Sequence, residues 1–199
     1  MLFGDTYFIG DNGAEIIVNQ TAVFSGFIYA ATNNGIRRAA IANGNLIDFN
    51  QWTTIAAGNW SGITAFGTDL YATDTFGNVQ KLSTTSSSFA GFTQLPQRSV
   101  DMRATTDYLI LTTLNSIYIY NSQMVLVRQI NTNQIPETNL GFTCATIIGD
   151  SVFIGTKENG LITTSLASAV TFENITPIGP ARNNIFSLQV TPNVLWAVY

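Results

Sequence analysis

One segment recurs five times along this 199-residue chain at nearly constant spacing. Its copies begin at Phe27, Asp69, Tyr108, Ser151 and Asn193, which are 42, 39, 43 and 42 residues apart. The segment is a short run of apolar and Thr residues, and turns rich in Gly, Asn or Ser follow its first four copies. A period of about 40–45 residues, built from short strands and tight turns, is typical of β-propeller blades. The repeat therefore predicts an all-β propeller fold.

Each repeat divides into four predicted strands, as a propeller blade requires. The first is apolar, the second is the recurring segment itself, and the third alternates apolar and polar residues. Asn-Gly and Gly-Asn turns between the second and third strands are strong hairpin signals. The outermost strand is the most variable, and its predicted copies are residues 49–52, 89–92, 125–128 and 171–174.

The spacing predicts a single domain over residues 1–199, with complete blades at approximately 15–58, 59–97, 98–140 and 141–182. Residues 183–199 hold the first two strands of a fifth blade, and residues 2–10 form an apolar strand without a partner. We expect residues 1–14 to complete the fifth blade and close a ring, because an unpaired sheet edge is a liability. The alternative is an open arc of a larger propeller of about six to eight blades.

Composition excludes several classes of function. His is absent, which removes the commonest general base and the commonest metal ligand. The single Cys144 can form neither an internal disulfide nor a structural zinc site, and its apolar surroundings predict a buried, unreactive thiol. The net charge is −4 and the eight Lys and Arg residues are scattered, which argues against nucleic-acid binding.

Catalytic and metal-binding motifs are also missing. The sequence has no Gly-x-Ser-x-Gly motif, no phosphate-binding Gly loop and no dinucleotide fingerprint. Asp5 and residues 11–13 offer oxygen ligands but lack the spacing of a calcium loop. Most carboxylates that are close in sequence fall at predicted turns, where Asp hydrogen-bonds the backbone; these pairs are Asp69/Asp74, Asp101/Asp107 and Asp150/Glu158. We therefore predict a protein that is not an enzyme, with no catalytic residue, cofactor or metal.

Large side chains on outer strands and connecting loops are the candidate contacts to a partner or a glycan. Trp, Tyr and Arg are the residue types that dominate binding interfaces, and aromatic faces also stack on sugars. The candidates are Trp52, Trp60, Arg37, Arg38, Tyr118 and Tyr120. A competing interpretation places Trp52 and Trp60 between neighbouring blades as packing residues.

Several phrases of the sequence resemble a known family. They are residues 3–10, 47–52, 58–60, 155–160, 172–180 and 182–186, together with the terminal 195–199. Across nearly the whole chain these phrases are similar to the propeller region of the PorZ-like proteins of the Bacteroidetes type IX secretion system. They are packing and turn phrases, so the resemblance carries over no site residue.

The resemblance implies a large, modular protein on the extracellular face of the outer membrane or in the periplasm, with propellers and a C-terminal β-sandwich. This segment would be an interior piece without a signal peptide or a transmembrane segment, acting as a non-catalytic scaffold in a secretion and attachment complex. Its partners would be other secretion-complex proteins and anionic lipopolysaccharide. Two alternatives stay open: a glycan- or lipopolysaccharide-binding module, and the periplasmic sensor propeller of a two-component regulator.

Overall fold

A computed structural model describes residues 7–86, 88–167, 171–175, 185–191 and 194–198. These residues form eighteen β-strands and short 3-10 turns. The first sheet comprises β1 (Val18–Phe24), β2 (Phe27–Thr32), β3 (Gly35–Ala40) and β4 (Thr53–Ala56). The second comprises β5 (Trp60–Phe66), β6 (Asp69–Asp74), β7 (Asn78–Ser83) and β8 (Ala90–Gln94).

The later strands repeat this arrangement. The third sheet comprises β9 (Ser99–Ala104), β10 (Tyr108–Thr113), β11 (Ser116–Asn121) and β12 (Leu126–Asn131). The fourth comprises β13 (Phe142–Ile148), β14 (Ser151–Thr156), β15 (Leu161–Ser165) and β16 (Phe172–Ile175). The fifth pairs β17 (Ser187–Thr191) with β18 (Val194–Val198).

In all four complete sheets the strands follow one another in chain order and pair antiparallel. This connectivity is that of a propeller blade, so the predicted four-stranded repeat is confirmed. The second strands of the four complete sheets are largely buried, with four or five of the six residues of each buried, as their runs of apolar and Thr residues predicted. Successive side chains of a strand point to opposite faces, so these strands supply both faces of the sheet with core residues.

The predicted outer strand at residues 49–52 is wrong. Phe49–Gln51 is a single 3-10 turn, and the fourth strand of the first sheet follows it. The cause is local: the side chain of Asp48 accepts the backbone N–H of Asn50 at 2.9 Å, which bends the chain before a strand can begin.

The predicted completion of the fifth blade is not confirmed. Residues 7–9 form no strand, and residues 1–6 lie outside the described residues. Within the described part of the chain, β17 and β18 form a two-stranded sheet.

The chain divides into two compact units, Met1–Arg98 and Ser99–Tyr199. The first unit holds a core shared by the first two sheets, built around Tyr29, Ile36, Ile63 and Leu70. The second holds an Ile-rich core shared by the third and fourth sheets, and a smaller cluster joins the fourth sheet to the fifth.

Candidate functional site

The first sheet carries an apolar cleft of about 350 Å³ on the face opposite the second sheet. That volume falls within the usual range of ligand pockets, about 300–1,000 Å³. Its lining residues come from the N-terminal segment, from β1 and β2, and from the loop before β4: Tyr7, Ile9, Val18, Thr21, Ile28, Ala30, Leu46 and Trp52.

Strand alternation explains the floor of this cleft. Ile28 and Ala30 point to one face of β2, while Tyr29 and Ala31 point to the other and enter the core shared with the second sheet. Thr21 is the cross-strand partner of Ala30 and therefore lies on the cleft side.

Trp52 is a wall of the cleft, and local hydrogen bonds hold it in place. It follows the 3-10 turn that Asp48 caps, and its indole Nε1–H donates to the carbonyl oxygen of Leu46 at 2.9 Å. The hydrogen bond from the Asn50 N–H also lowers the pKa of Asp48 below its usual range. The indole N–H is thus already used, so Trp52 offers the cleft mainly apolar ring surface.

A second cavity of about 400 Å³ lies beside Tyr7, which lines both cavities. Its other lining residues are Phe8, Glu15, Ile16, Ile17 and Asn33. The Oδ1 atom of Asn33 accepts the backbone N–H of Ile17 at 3.0 Å, which ties the N-terminal segment to the first hairpin turn.

The two adjacent arginines have different environments. Arg37 is buried, and its Nη1 donates to Oδ1 of the exposed Asp11 at 2.6 Å, which lowers the pKa of that carboxyl. Arg38 is partly exposed and lies 4.6 Å from the centre of the Phe27 ring, in cation–π geometry. The Asp11 carboxylate, a potential oxygen ligand for calcium, is therefore engaged by an arginine.

The other candidate contact residues are mainly buried. Trp60 packs in the core between the first and second sheets, 5.7 Å from the ring of Phe89, and its Nε1–H donates to Ala57 O at 3.0 Å. Tyr118 and Tyr120 on β11 are also buried. Of the six candidates, Trp52 and Arg38 keep side-chain surface for a partner, and only Trp52 lines the cleft.

Several carboxylates that are close in sequence have structural partners. Asp74 accepts the backbone N–H groups of Phe76 and Asn78 at 2.8 and 2.9 Å within the turn. Asp69 lies 3.4 Å from the Lys81 ammonium. Burial raises the pKa of Tyr71 to about 12, and the nearby Asp69 carboxylate adds to this effect. Among the described residues, no cluster of three or more His, Cys, Asp or Glu could hold a metal ion.

Polar side chains on the first strands link neighbouring sheets, a role that the sequence analysis missed. Gln20 accepts the backbone N–H of Ile63 at 3.3 Å, and Asp101, at the matching position of the third sheet, accepts that of Ala145. Arg103 pairs with Asp101 at 2.8 Å and donates to Leu188 O and Ser187 Oγ on β17. The available signal was a pair of opposite charges two residues apart on a predicted strand, which places both side chains on one face.

Cys144 is buried, as predicted, and burial raises the pKa of its thiol to about 11. The thiolate is the nucleophilic form of cysteine, so this thiol has little reactivity in the folded protein at neutral pH.

Arg128 is a buried cation without a carboxylate partner among the described residues. Its Nη2 lies 3.3 Å from Thr164 Oγ1, while Nε and Nη1 have no hydrogen-bond partner. Burial lowers the pKa of this guanidinium. A buried charge without compensation costs stability.

We therefore expect Arg128→Met to raise the free energy of unfolding by about 1–3 kcal/mol. Thr164 keeps its hydrogen bond to Thr171 O at 2.8 Å, so the replacement leaves no hydroxyl unpaired. Urea unfolding followed by Trp fluorescence measures the change. The exposed Arg98 is the control, and Arg98→Met should shift stability by no more than about 0.5 kcal/mol. A loss of stability in Arg128→Met would contradict the prediction.

Comparison with solved structures identifies the fold as a β-propeller. The extracellular domain of the putative one-component system BT4673 from B. thetaiotaomicron matches 97% of this chain with a TM-score of 0.73 and 20% identity. PorZ, a surface component of the type IX secretion system of Porphyromonas gingivalis, matches 92% of this chain with a TM-score of 0.63 and 18% identity. The WD40 propeller domain of Doa1 matches 90% of this chain with a TM-score of 0.67 and 9% identity.

This chain spans 26% and 24% of the first two chains and 60% of the third. No protein-family model and no curated protein matches the sequence. No helix in the described part of the chain is long and apolar enough to span a membrane.

Proposed function

We propose that this chain is a non-catalytic interaction scaffold, part of a protein that works at the cell surface or in the periplasm. Its sheets would form a rigid support, and the first-sheet cleft would receive an apolar side chain of a protein partner. The observation that carries this proposal is the Trp52-lined cleft, which lies on a packed sheet and has mostly apolar walls. Apolar clefts with an aromatic anchor are typical of interaction sites.

At the finer level we propose a role in a type IX secretion or attachment complex. The resemblance of the sequence to PorZ-like proteins supports it, and so does the propeller likeness to PorZ, a surface component of that system. The partners would be other proteins of the complex.

Crosslinking the purified chain to a Bacteroidetes envelope extract, followed by mass spectrometry, tests the proposal. We expect secretion-complex proteins among the crosslinked partners, and Trp52→Ala should reduce their recovery at least about tenfold, as loss of an aromatic anchor does. Phe76→Ala is the matched control, because Phe76 is an exposed aromatic residue at a turn of the second sheet and does not line the cleft. Equal recovery with Trp52→Ala would rule out the cleft as the contact.

The glycan alternative gives a different result in a related assay. Purified anionic lipopolysaccharide would then bind the chain without any protein partner, and Trp52→Ala would abolish that binding. A hydrolase activity of the purified chain would contradict the non-catalytic assignment itself.

A second candidate is the sensor propeller of a signalling receptor. It is favoured by the BT4673 extracellular domain, which matches more of this chain and at a higher TM-score than PorZ does. The complete gene distinguishes the two: a transmembrane helix and a kinase after the propellers indicate a sensor, whereas a β-sandwich indicates the secretion component.

A further inference from the structure

The sheets of this chain pack against each other by one repeated rule. In each sheet, the third and fifth residues of the second strand lie on one face, which we call the forward face. The second and fourth residues lie on the opposite face, which we call the backward face. Tyr29 and Ala31 on the forward face of the first sheet share a core with Leu70 and Ala72 on the backward face of the second.

The two junctions described in the second unit follow the same rule. Ile110 on the forward face of the third sheet packs with Val152 and Ile154 on the backward face of the fourth. Phe153 on the forward face of the fourth sheet packs in a cluster with Leu195 and Ala197 on the backward face of the fifth. A forward face therefore pairs with a backward face three times within one chain.

The forward face of the fifth sheet is exposed in the described residues. Trp196 and Val198 are 57% and 44% exposed, whereas their counterparts in the first sheet, Tyr29 and Ala31, are 3% and 0% exposed. Val194, on the same side of β18, is exposed as well. The three side chains form an apolar stripe that contains no charged group.

The backward face of the first sheet is incompletely covered. Val23 is exposed, although its counterpart Ile147 in the fourth sheet is buried in a core. Near it, Ile28 lines the cleft and is partly exposed, although its counterpart Val152 is fully buried; Ala30 also lines the cleft and is itself fully buried. Tyr7, Ile9, Leu46 and Trp52 cover part of this face and leave a cavity of about 350 Å³.

We propose that the forward face of the fifth sheet in one molecule packs against the backward face of the first sheet in a second copy of this chain. One chain carries both halves of an interface that it already forms three times internally, with the same strand positions and the same apolar character. Trp196 stands where Tyr29 stands in the first sheet, and Tyr29 is the aromatic group that a backward face accepts there.

This contact is heterologous, because different surfaces of the two molecules meet. It needs no outside partner, but it uses the Trp52-lined cleft of the proposed function, so a second copy and a protein partner would compete for that cleft.

Sedimentation velocity across a range of concentrations tests the contact. The wild-type chain should shift from monomer to larger species as its concentration rises. Trp196→Asp, on the forward face, and Val23→Asp, on the backward face, should each weaken association about 30-fold or more, as loss of an interface hot spot does. Both residues are exposed, so the variants should fold, and circular dichroism checks this. Phe76→Asp, at an exposed turn, is the control and should associate like wild type.

Mixing the two variants provides the decisive result. Trp196→Asp keeps an intact backward face and Val23→Asp keeps an intact forward face, so an equimolar mixture should form a one-to-one dimer that grows no further. A mixture that stays monomeric would mean a symmetric contact and would overturn the proposal. A wild-type chain that stays monomeric at every concentration would overturn it as well.

Discussion

Replacing Arg103 with Met should lower the free energy of unfolding by about 2–3 kcal/mol at neutral pH. Arg103 Nε donates to Asp101 Oδ2 at 2.8 Å, and the same guanidinium donates to Leu188 O and Ser187 Oγ on β17. The change removes these three contacts and leaves the largely buried carboxylate of Asp101 without its cation. Removing one partner of such a pair costs more than the pair contributes, because the remaining charge is desolvated and unpaired.

The loss of stability in Arg103→Met should depend on pH, and the ionisation of Asp101 determines the direction of that dependence. Burial raises the pKa of this carboxyl, against the lowering effect of Arg103 and of the backbone N–H groups of Ala145 and Met102. Without Arg103 that pKa rises further. A carboxyl whose pKa is higher in the folded state than in the unfolded state opposes folding when it ionises. This destabilisation is absent below the unfolded pKa and is complete once the pH has risen through the folded pKa. The difference between wild type and variant should therefore be larger at pH 7 than at about pH 4.

Chemical denaturation at both pH values measures these differences. The double variant Asp101→Asn/Arg103→Met should recover part of the loss, because it no longer buries an unpaired charge. Arg98→Met serves again as the exposed control. Equal losses at the two pH values would show that Arg103 acts by packing alone.

Gly77→Ala should lower the free energy of unfolding by about 3 kcal/mol. Gly77 has a φ of +85°, in the left-handed region that an L-residue adopts only with strain. A Cβ atom there would lie 2.6 Å from Leu95 O and 2.8 Å from Gln97 O, and both are backbone atoms. The Gly77 carbonyl also accepts the N–H of Leu95 at 2.8 Å, so the segment after β8 cannot move away without losing this hydrogen bond.

Gly67→Ala separates the two causes of that loss. Gly67 also has a positive φ, of +59°, but nothing lies within 4 Å of its Cβ position. We expect a cost of only about 1 kcal/mol, from backbone strain alone. Thermal and urea unfolding of both variants provide the comparison. A Gly77→Ala variant no less stable than Gly67→Ala would contradict the steric argument.

The sequence predicted the strands well where the signal is local. The recurring segment and the turns after it placed the second and third strands of each complete sheet, because alternation and turn chemistry act over a few residues. The prediction failed at residues 49–52, where the Asp48 side chain bends the chain into a turn. Asp at such a position is a turn signal, but the aromatic residues around it favoured a strand.

The site was less predictable. Trp52 and Trp60 are eight residues apart and looked equivalent in sequence, yet Trp60 lies in the core between two sheets while Trp52 lines a cleft. The adjacent Arg37 and Arg38 also have different environments, since Arg37 is buried and pairs with Asp11 while Arg38 lies over the Phe27 ring. The Asp101–Arg103 pair was visible in the sequence, but its contacts to Ala145 and β17 were not.

The repeat of about 42 residues, read from the sequence alone, determined that this chain folds into four-stranded blades, because hairpin turns and strand alternation are local properties. Only the tertiary structure decided which faces of those blades are covered. Alternation assigns a side chain to one side of its strand, whereas its burial depends on a neighbouring sheet about 40 residues away in the chain. Hence Tyr29 and Trp196 are each the third residue of the second strand of their sheet, and one is buried in a core while the other is exposed.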